Sequence, residues 1–208
     1  MIFFHKTPAL IKMLYPSLTW SMPTGEKKIY LTFDDGPIPE LTPWVMQQLT
    51  EYQIRATFFC VGENIERNTT IAEELLSEGH KLGNHTFNHL NGWVTKKSTY
   101  IENVGKCSHV LKNIQASDNL YRPPYGKISR AQIAALKDDY QIVMWDVLTG
   151  DFSQRLAPEA CLKKSIDATS PGAIVVFHDN VKASKNLKYT LPRYLNYFLE
   201  RGYSFDTL

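Results

Sequence analysis

The sequence predicts an α/β chain folded as a distorted, incomplete (β/α) barrel of about seven parallel strands. Short apolar runs alternate with amphipathic segments that open on capping signals, the pattern of repeated strand and helix units. At 208 residues the chain has room for one such domain, but is short for a full eight-unit barrel. Polar residues also gather behind successive strands: Asp34 and Asp35 behind the first, His85 and His89 behind the third, Arg122 at the end of the fourth, Asp146 and Asp151 behind the fifth, and His178 and Asp179 behind the sixth. Periodicity alone also permits an open doubly wound sheet, but such a sheet collects residues mainly at its switch point. In a parallel barrel all carboxyl ends share one rim.

Residues 1–27 are apolar at Ile2, Phe3, Phe4, Leu10, Ile11 and Leu14, and read as a segment packing on the barrel and covering its bottom. His5, Lys6 and Pro8 break this run before it reaches the length of a signal-peptide core, so a cytoplasmic location is the default expectation. The domain proper spans residues 28–208. Strands are expected at 28–33, 56–61, 80–83, 120–122, 141–145, 173–177 and 203–205, where β-branched and aromatic residues concentrate. Between them, Thr42 precedes a proline suited to a first helical position. Thr70-x-x-Glu73, Thr99-x-x-Glu102 and Ser129-x-x-Gln132 read as capping boxes. Gly79 and Gly202 stand where helices should stop.

Composition excludes several classes. The formal charge is +2, with 23 basic and 21 acidic residues interspersed, so there is no basic stripe of the kind that neutralises nucleic-acid phosphates. Cys60, Cys107 and Cys161 are odd in number and widely spaced, which suits buried free thiols rather than disulfides or a cysteine metal site. No run approaches the roughly 18 apolar residues of a membrane span. The sequence carries no signal for oligomeric state.

The chemistry concentrates in two places. Thr32-Phe33-Asp34-Asp35-Gly36-Pro37 sets adjacent carboxylates between a strand and a turn, and His85 and His89 follow four residues apart. One carboxylate and two imidazoles give a divalent ion three protein ligands and an open position, as in catalytic rather than structural zinc sites. The second carboxylate is then free to act as a base. Alone, an Asp-Asp-Gly-Pro is commonly a turn in which aspartate caps backbone amides, and a His-x-x-x-His is commonly an exposed helical pair. The spacing of four places both imidazoles on one side of a helical turn. Neighbouring side chains of extended backbone point opposite ways, so adjacent aspartates would divide the work.

From about residue 28 to the C-terminus the chain resembles the polysaccharide deacetylase family, the NodB homology domain of carbohydrate esterase family 4, which is recognised by five ordered motifs. The first is matched in full by residues 32–37. The second is His85-Thr86-Phe87-Asn88-His89, the third Arg122-Pro123-Pro124-Tyr125-Gly126, and the fifth Ile174-Val175-Val176-Phe177-His178, with Val176 where leucine is more usual. The fourth, Trp145-Asp146-Val147-Leu148-Thr149-Gly150-Asp151-Phe152, departs: Leu148 takes the first acidic position and Phe152 replaces tryptophan. This departure bears on the binding surface rather than on the chemistry.

The resemblance implies Asp35, His85 and His89 as ligands of a divalent metal, zinc above all, with cobalt or nickel suited to the same donors. It implies Asp34 as the general base toward water, oriented by Arg122 through a charge-assisted hydrogen bond. The backbone amide of Tyr125 would share the oxyanion with the metal. Amide hydrolysis needs a protonated leaving nitrogen, and His178 would supply that proton with Asp151 as its carboxylate partner, Asp146 and Asp179 being reserves. Of the aromatics near the motif loops, Tyr125 and Phe152 are stronger candidates for stacking on a sugar than Trp93 and Trp145. The activity implied is removal of N-acetyl groups from amino sugars of an oligo- or polysaccharide such as peptidoglycan or a chitin-like chain, with O-acetyl esters open to the same mechanism. An amidase for small linear or cyclic amides, and a non-catalytic carbohydrate-binding barrel, are the competing readings. Binding alone would not need both a base and an acid.

Overall fold

The computed structural model describes residues 3–23, 25–117 and 119–208; Ile2 lies outside them. In chain order the elements are α1 (Ala9–Leu14), β1 (Lys28–Asp34), α2 (Thr42–Glu51), β2 (Thr57–Cys60), α3 (Gly62–Arg67), α4 (Thr69–Ser77), β3 (Lys81–Asn84), α5 (Lys97–Asn113), β4 (Leu120–Tyr121), α6 (Arg130–Leu136), β5 (Gln141–Ile142), β6 (Val147–Leu148), α7 (Pro158–Ala168), β7 (Ile174–His178), α8 (Ser184–Leu199) and β8 (Ser204–Asp206). The strands form one parallel sheet in the order β5-β4-β3-β2-β1-β7-β6. β8 pairs with Lys28, Ile29 and Tyr30 of β1, while β2 pairs with Thr32, Phe33 and Asp34.

β5 and β6 stand at opposite edges of this sheet, yet they are successive pieces of one stretch of chain, so the sheet curls into a distorted, incomplete barrel. A single strand over 141–145 is not what forms. The stretch breaks after Ile142 because its backbone is engaged elsewhere: the Arg122 guanidinium donates to the carbonyls of Val143 (3.3 Å) and Met144 (2.9 Å). The N-terminal segment enters the seam, where Thr19 N–H donates to the Ile142 carbonyl (2.9 Å), Met144 N–H to Thr19 (2.7 Å) and Met22 N–H to Gly172 (2.9 Å).

The two-residue period of the strands sorts their side chains between two layers. Ile29, Leu31, Phe33, Phe58, Cys60, Val175 and Phe177 lie in the core under the helices, with Phe33 stacked on Phe58 at 4.9 Å and on Phe177 at 6.0 Å. Truncating a buried phenylalanine such as Phe33 costs about 3–5 kcal/mol. The alternate residues Phe59, Leu120 and Ile174 form a separate cluster with Val143, packed by Tyr30. That face also carries Thr32, Asp34, Arg122 and His178, so the inner layer turns polar towards the carboxyl ends.

One of the three capping boxes forms: the Ser129 hydroxyl accepts from Gln132 N–H (3.3 Å) and Gln132 Oε1 from Ser129 N–H (2.8 Å). Thr70 and Thr99 fall inside helices that begin earlier, at Thr69 and Lys97. Gly79 ends α4 with φ of +84°, a conformation open to glycine. The N-terminal segment packs differently from expectation. Phe4, Leu10, Ile11 and Leu14 are exposed, and the buried apolar residues of the segment are Leu18 and Trp20. Lys6 pairs antiparallel with Val147 and forms an ion pair with Asp146, as does Lys12, so this part of the segment lies beside β6 towards the rim, while Ser21 bridges Ala173 just before β7. Cys60, Cys107 and Cys161 are buried free thiols. Among the described residues no helix is long and apolar enough to cross a membrane.

Candidate active site

The turn after β1 presents both aspartates to the same place. Asp34 closes the strand, and Asp35 adopts φ of +87°, so the extended backbone that would send the two side chains apart ends between them. The turn is held by Gly36 N–H, which donates to Asp179 Oδ1 (3.0 Å), by Asn64 Nδ2 on the Asp35 carbonyl (2.7 Å), and by Thr42, whose hydroxyl donates to Asp179 Oδ2 (2.5 Å). A Cβ at residue 36 would stand 2.0 Å from Asp179 Oδ2, so glycine is required there. Burial pushes the Asp179 carboxyl up to about 8. Asp179 is thus the anchor of this turn, not a partner of His178.

His85 and His89 converge, but not through a helical turn. Residues 85–89 form a loop in which Thr86 (φ +62°) and His89 (φ +56°) are left-handed. The Asn84 side chain accepts from Thr86 N–H (2.8 Å), and Asn103 Oδ1 accepts from Phe87 N–H (2.8 Å) and Asn88 N–H (3.1 Å). These local bonds compete with helix formation and bring the two imidazole centroids to 5.1 Å. Asp35, Thr86, His89 and Tyr125 are four of the six non-glycine residues with positive φ among those described, and such strain collects at functional sites.

His85 Nδ1 lies 2.8 Å from the Arg122 carbonyl, which accepts its proton and leaves Nε2 free as a donor atom. His89 Nδ1 lies 3.1 Å from the Tyr125 hydroxyl. Asp35 Oδ1 sits 3.5 Å from His85 Nε2 and 3.0 Å from His89 Nε2, and it is buried without a hydrogen-bond donor. Burial works against its charge, but the two histidines outweigh it and hold the Asp35 carboxyl well below the usual range. An orphaned carboxylate oxygen facing two correctly presented imidazole nitrogens fits a divalent cation, and these three donor atoms all lie within 4.8 Å of one another.

Asp34 lies beside this group, Oδ2 at 4.0 Å from His85 Nε2 and Oδ1 at 2.6 Å from Arg122 Nη1. Arg122 is fully buried, donates also to the Thr32 hydroxyl (2.8 Å) and stacks 4.1 Å from the Phe59 ring centroid. Across from it, His178 Nδ1 meets Asp151 Oδ1 at 2.8 Å, while Asp151 Oδ2 accepts from His178 N–H (2.7 Å). Burial alone would lower the His178 pKa, but Asp151 reverses this and raises it to about 9. Asp146 faces away, bound to Lys6 and Lys12. Tyr125 sits at the mouth, more than half exposed, with φ of +61°.

The fourth motif is built differently from the pattern it resembles. Leu148 is buried. The Phe152 ring meets His178 edge-on at 5.1 Å and is covered by Phe3 at 5.3 Å, so Phe3 helps wall the site. A Cβ at Gly150 would meet Phe3 at 2.5 Å. Sequence reasoning missed Phe3 and also Asn180, whose Nδ2 holds Asp35 Oδ2 at 2.5 Å. Asn180 follows His178 by two residues at a strand end, which is the signal that could have found it; Phe3 leaves no such trace.

The family model for polysaccharide deacetylase matches residues 21–142. The chain is 32% identical over 204 residues to a peptidoglycan-N-acetylglucosamine deacetylase of Bacillus cereus, covering 96% of this chain and 95% of that protein. It is 31% identical over 159 residues to a chitooligosaccharide deacetylase of Bradyrhizobium, covering 75% and 72%. Some matched relatives are longer, this chain spanning 58% of one and 38% of another. Among solved structures, the Bc1960 peptidoglycan N-acetylglucosamine deacetylase superposes with a TM-score of 0.89 at 27% identity, over 97% of this chain and 95% of that one.

Proposed function

Because the chain belongs to the polysaccharide deacetylase family of enzymes, we propose that it hydrolyses N-acetyl groups of amino sugars in a peptidoglycan or chitin-like chain, releasing acetate and leaving the free amine. The observation that carries this is the orphaned Asp35 Oδ1 between His85 and His89, flanked by a carboxylate held by arginine and a histidine held by aspartate.

Asp35, His85 and His89 would hold a divalent ion, zinc by the nature of the donors. When bound, such an ion makes water more acidic and polarises a carbonyl oxygen. Asp34, with Oδ1 fixed by Arg122, uses Oδ2 to accept the proton of the attacking water. The Tyr125 N–H donates to the oxyanion. His178, kept protonated by Asp151, delivers its ring proton to the departing nitrogen as the carbon–nitrogen bond breaks, so the products are acetate and an amine.

Acetate release from N-acetylated oligosaccharides, set against acetylxylan and small cyclic amides with and without added zinc, tests this reading. Zinc-dependent release from the oligosaccharides is expected. Turnover of the cyclic amides alone would replace it with an amidase.

A further inference from the structure

We propose that Trp93 and Lys127 form an accessory subsite for a carboxylate-bearing sugar of the glycan, beside the loop that carries His89; this rests on the deacetylase reading above. Trp93 is 66% exposed, an unusual position for an indole, yet its loop is firmly set. Its ring N–H donates to the Ile128 carbonyl (3.3 Å) and its backbone N–H to Asn91 Oδ1 (3.0 Å). Gly92 N–H donates to the Lys127 carbonyl (3.2 Å), and the buried Gln132 amide donates to the carbonyls of Gly92 (2.9 Å) and Thr95 (3.3 Å). A Cβ at Gly92 would lie 2.4 Å from the Lys127 carbonyl oxygen, so the close approach of the two loops depends on glycine.

A flat ring fixed by its neighbours and open to solvent loses little entropy when a sugar face settles on it, which is the condition for an anchor rather than a loose surface residue. Lys127 supplies the charge. Its Nζ lies 5.3 Å from the Trp93 ring centroid and 5.9 Å from that of Tyr125, and no carboxylate of the described residues forms a salt bridge with it. Lys127 thus links Trp93 to Tyr125, whose hydroxyl reaches His89, so the pair stands beside the candidate metal group. An exposed indole with an ammonium over its ring that no carboxylate of the described residues holds complements a sugar ring that bears a carboxylate, at the position of a neighbour in the same chain as the sugar being deacetylated.

KM and kcat for acetate release are to be measured with two substrates of equal length, peptide-free glycan strands bearing sugar carboxylates and a neutral N-acetylchitooligosaccharide. Trp93→Ala should raise KM about tenfold on both with kcat unchanged, as expected for loss of one binding anchor, and Trp93→Tyr should restore it. Lys127→Gln should raise KM about threefold on the carboxylate-bearing strands only, the size of an exposed ion pair, and the difference should vanish at about 1 M salt. An unchanged KM in Trp93→Ala, or an equal effect of Lys127→Gln on both substrates, overturns the subsite while leaving the deacetylase reading intact. No acetate from either glycan with the wild-type protein overturns that reading and the subsite with it.

Discussion

Asp34 and His178 are register partners on adjacent parallel strands, β1 and β7. Neighbouring strands run roughly 4.8 Å apart, and both residues fall on the inner phase of the pleat. A carboxylate and an imidazole therefore stand at the same height on the rim without any loop having to carry them there. Arg122 steadies the first and Asp151 the second.

The His178–Asp151 pair has a pH signature. Burial opposes the imidazolium, but Asp151 raises its pKa to about 9, against about 6.5 in an unfolded chain. Because the folded value is the higher, the stabilisation is fully present below the unfolded value and is lost as pH rises through the folded one. Urea unfolding at about pH 6 and about pH 10 should therefore show a fall in stability that His178→Gln lacks. In the kcat/KM profile the alkaline limb should move to lower pH in Asp151→Asn; an unmoved limb would detach Asp151 from His178.

Arg122 is a fully buried charge set against Asp34. Arg122→Met would leave Asp34 uncompensated and strip a donor from the Val143 and Met144 carbonyls. Breaking one side of a buried pair costs about 3–5 kcal/mol. The urea midpoint should fall accordingly, and adding Asp34→Asn should recover part of the loss without restoring activity. An unchanged midpoint in Arg122→Met contradicts this.

The strands were legible because β-branched and aromatic residues concentrate in short runs such as 28–33, and the polar strand ends announced the rim. What could not be read is what side chains do to backbone. The loop geometry of His85 and His89 depends on Asn84 and Asn103 taking amides that a helix would use, one from a residue 16 positions from Phe87. The break after Ile142 depends on Arg122 reaching carbonyls 21 and 22 residues away. The course of the N-terminal segment depends on Asp146 capturing two lysines, a long-range choice that its apolar residues do not encode.

His80 predicts sensitivity to acid. It is buried, accepts from Ala56 N–H at 3.1 Å and meets the Phe58 ring at 5.3 Å. Burial lowers its pKa to about 4. The unfolded chain takes up its proton first, so stability should fall between the unfolded value near 6.5 and the folded one, by up to about 3 kcal/mol. His80→Gln should flatten that part of the curve in urea titrations; an identical slope would show that other groups dominate.

Zinc binding to chelator-treated protein, followed by calorimetry, tests the donor group most directly. Wild type and Asp34→Asn should each bind one ion, whereas Asp35→Asn, His85→Ala and His89→Ala should each weaken binding at least about tenfold, the change worth 1.4 kcal/mol. Undiminished affinity in all three ligand variants would show that this trio does not hold the ion.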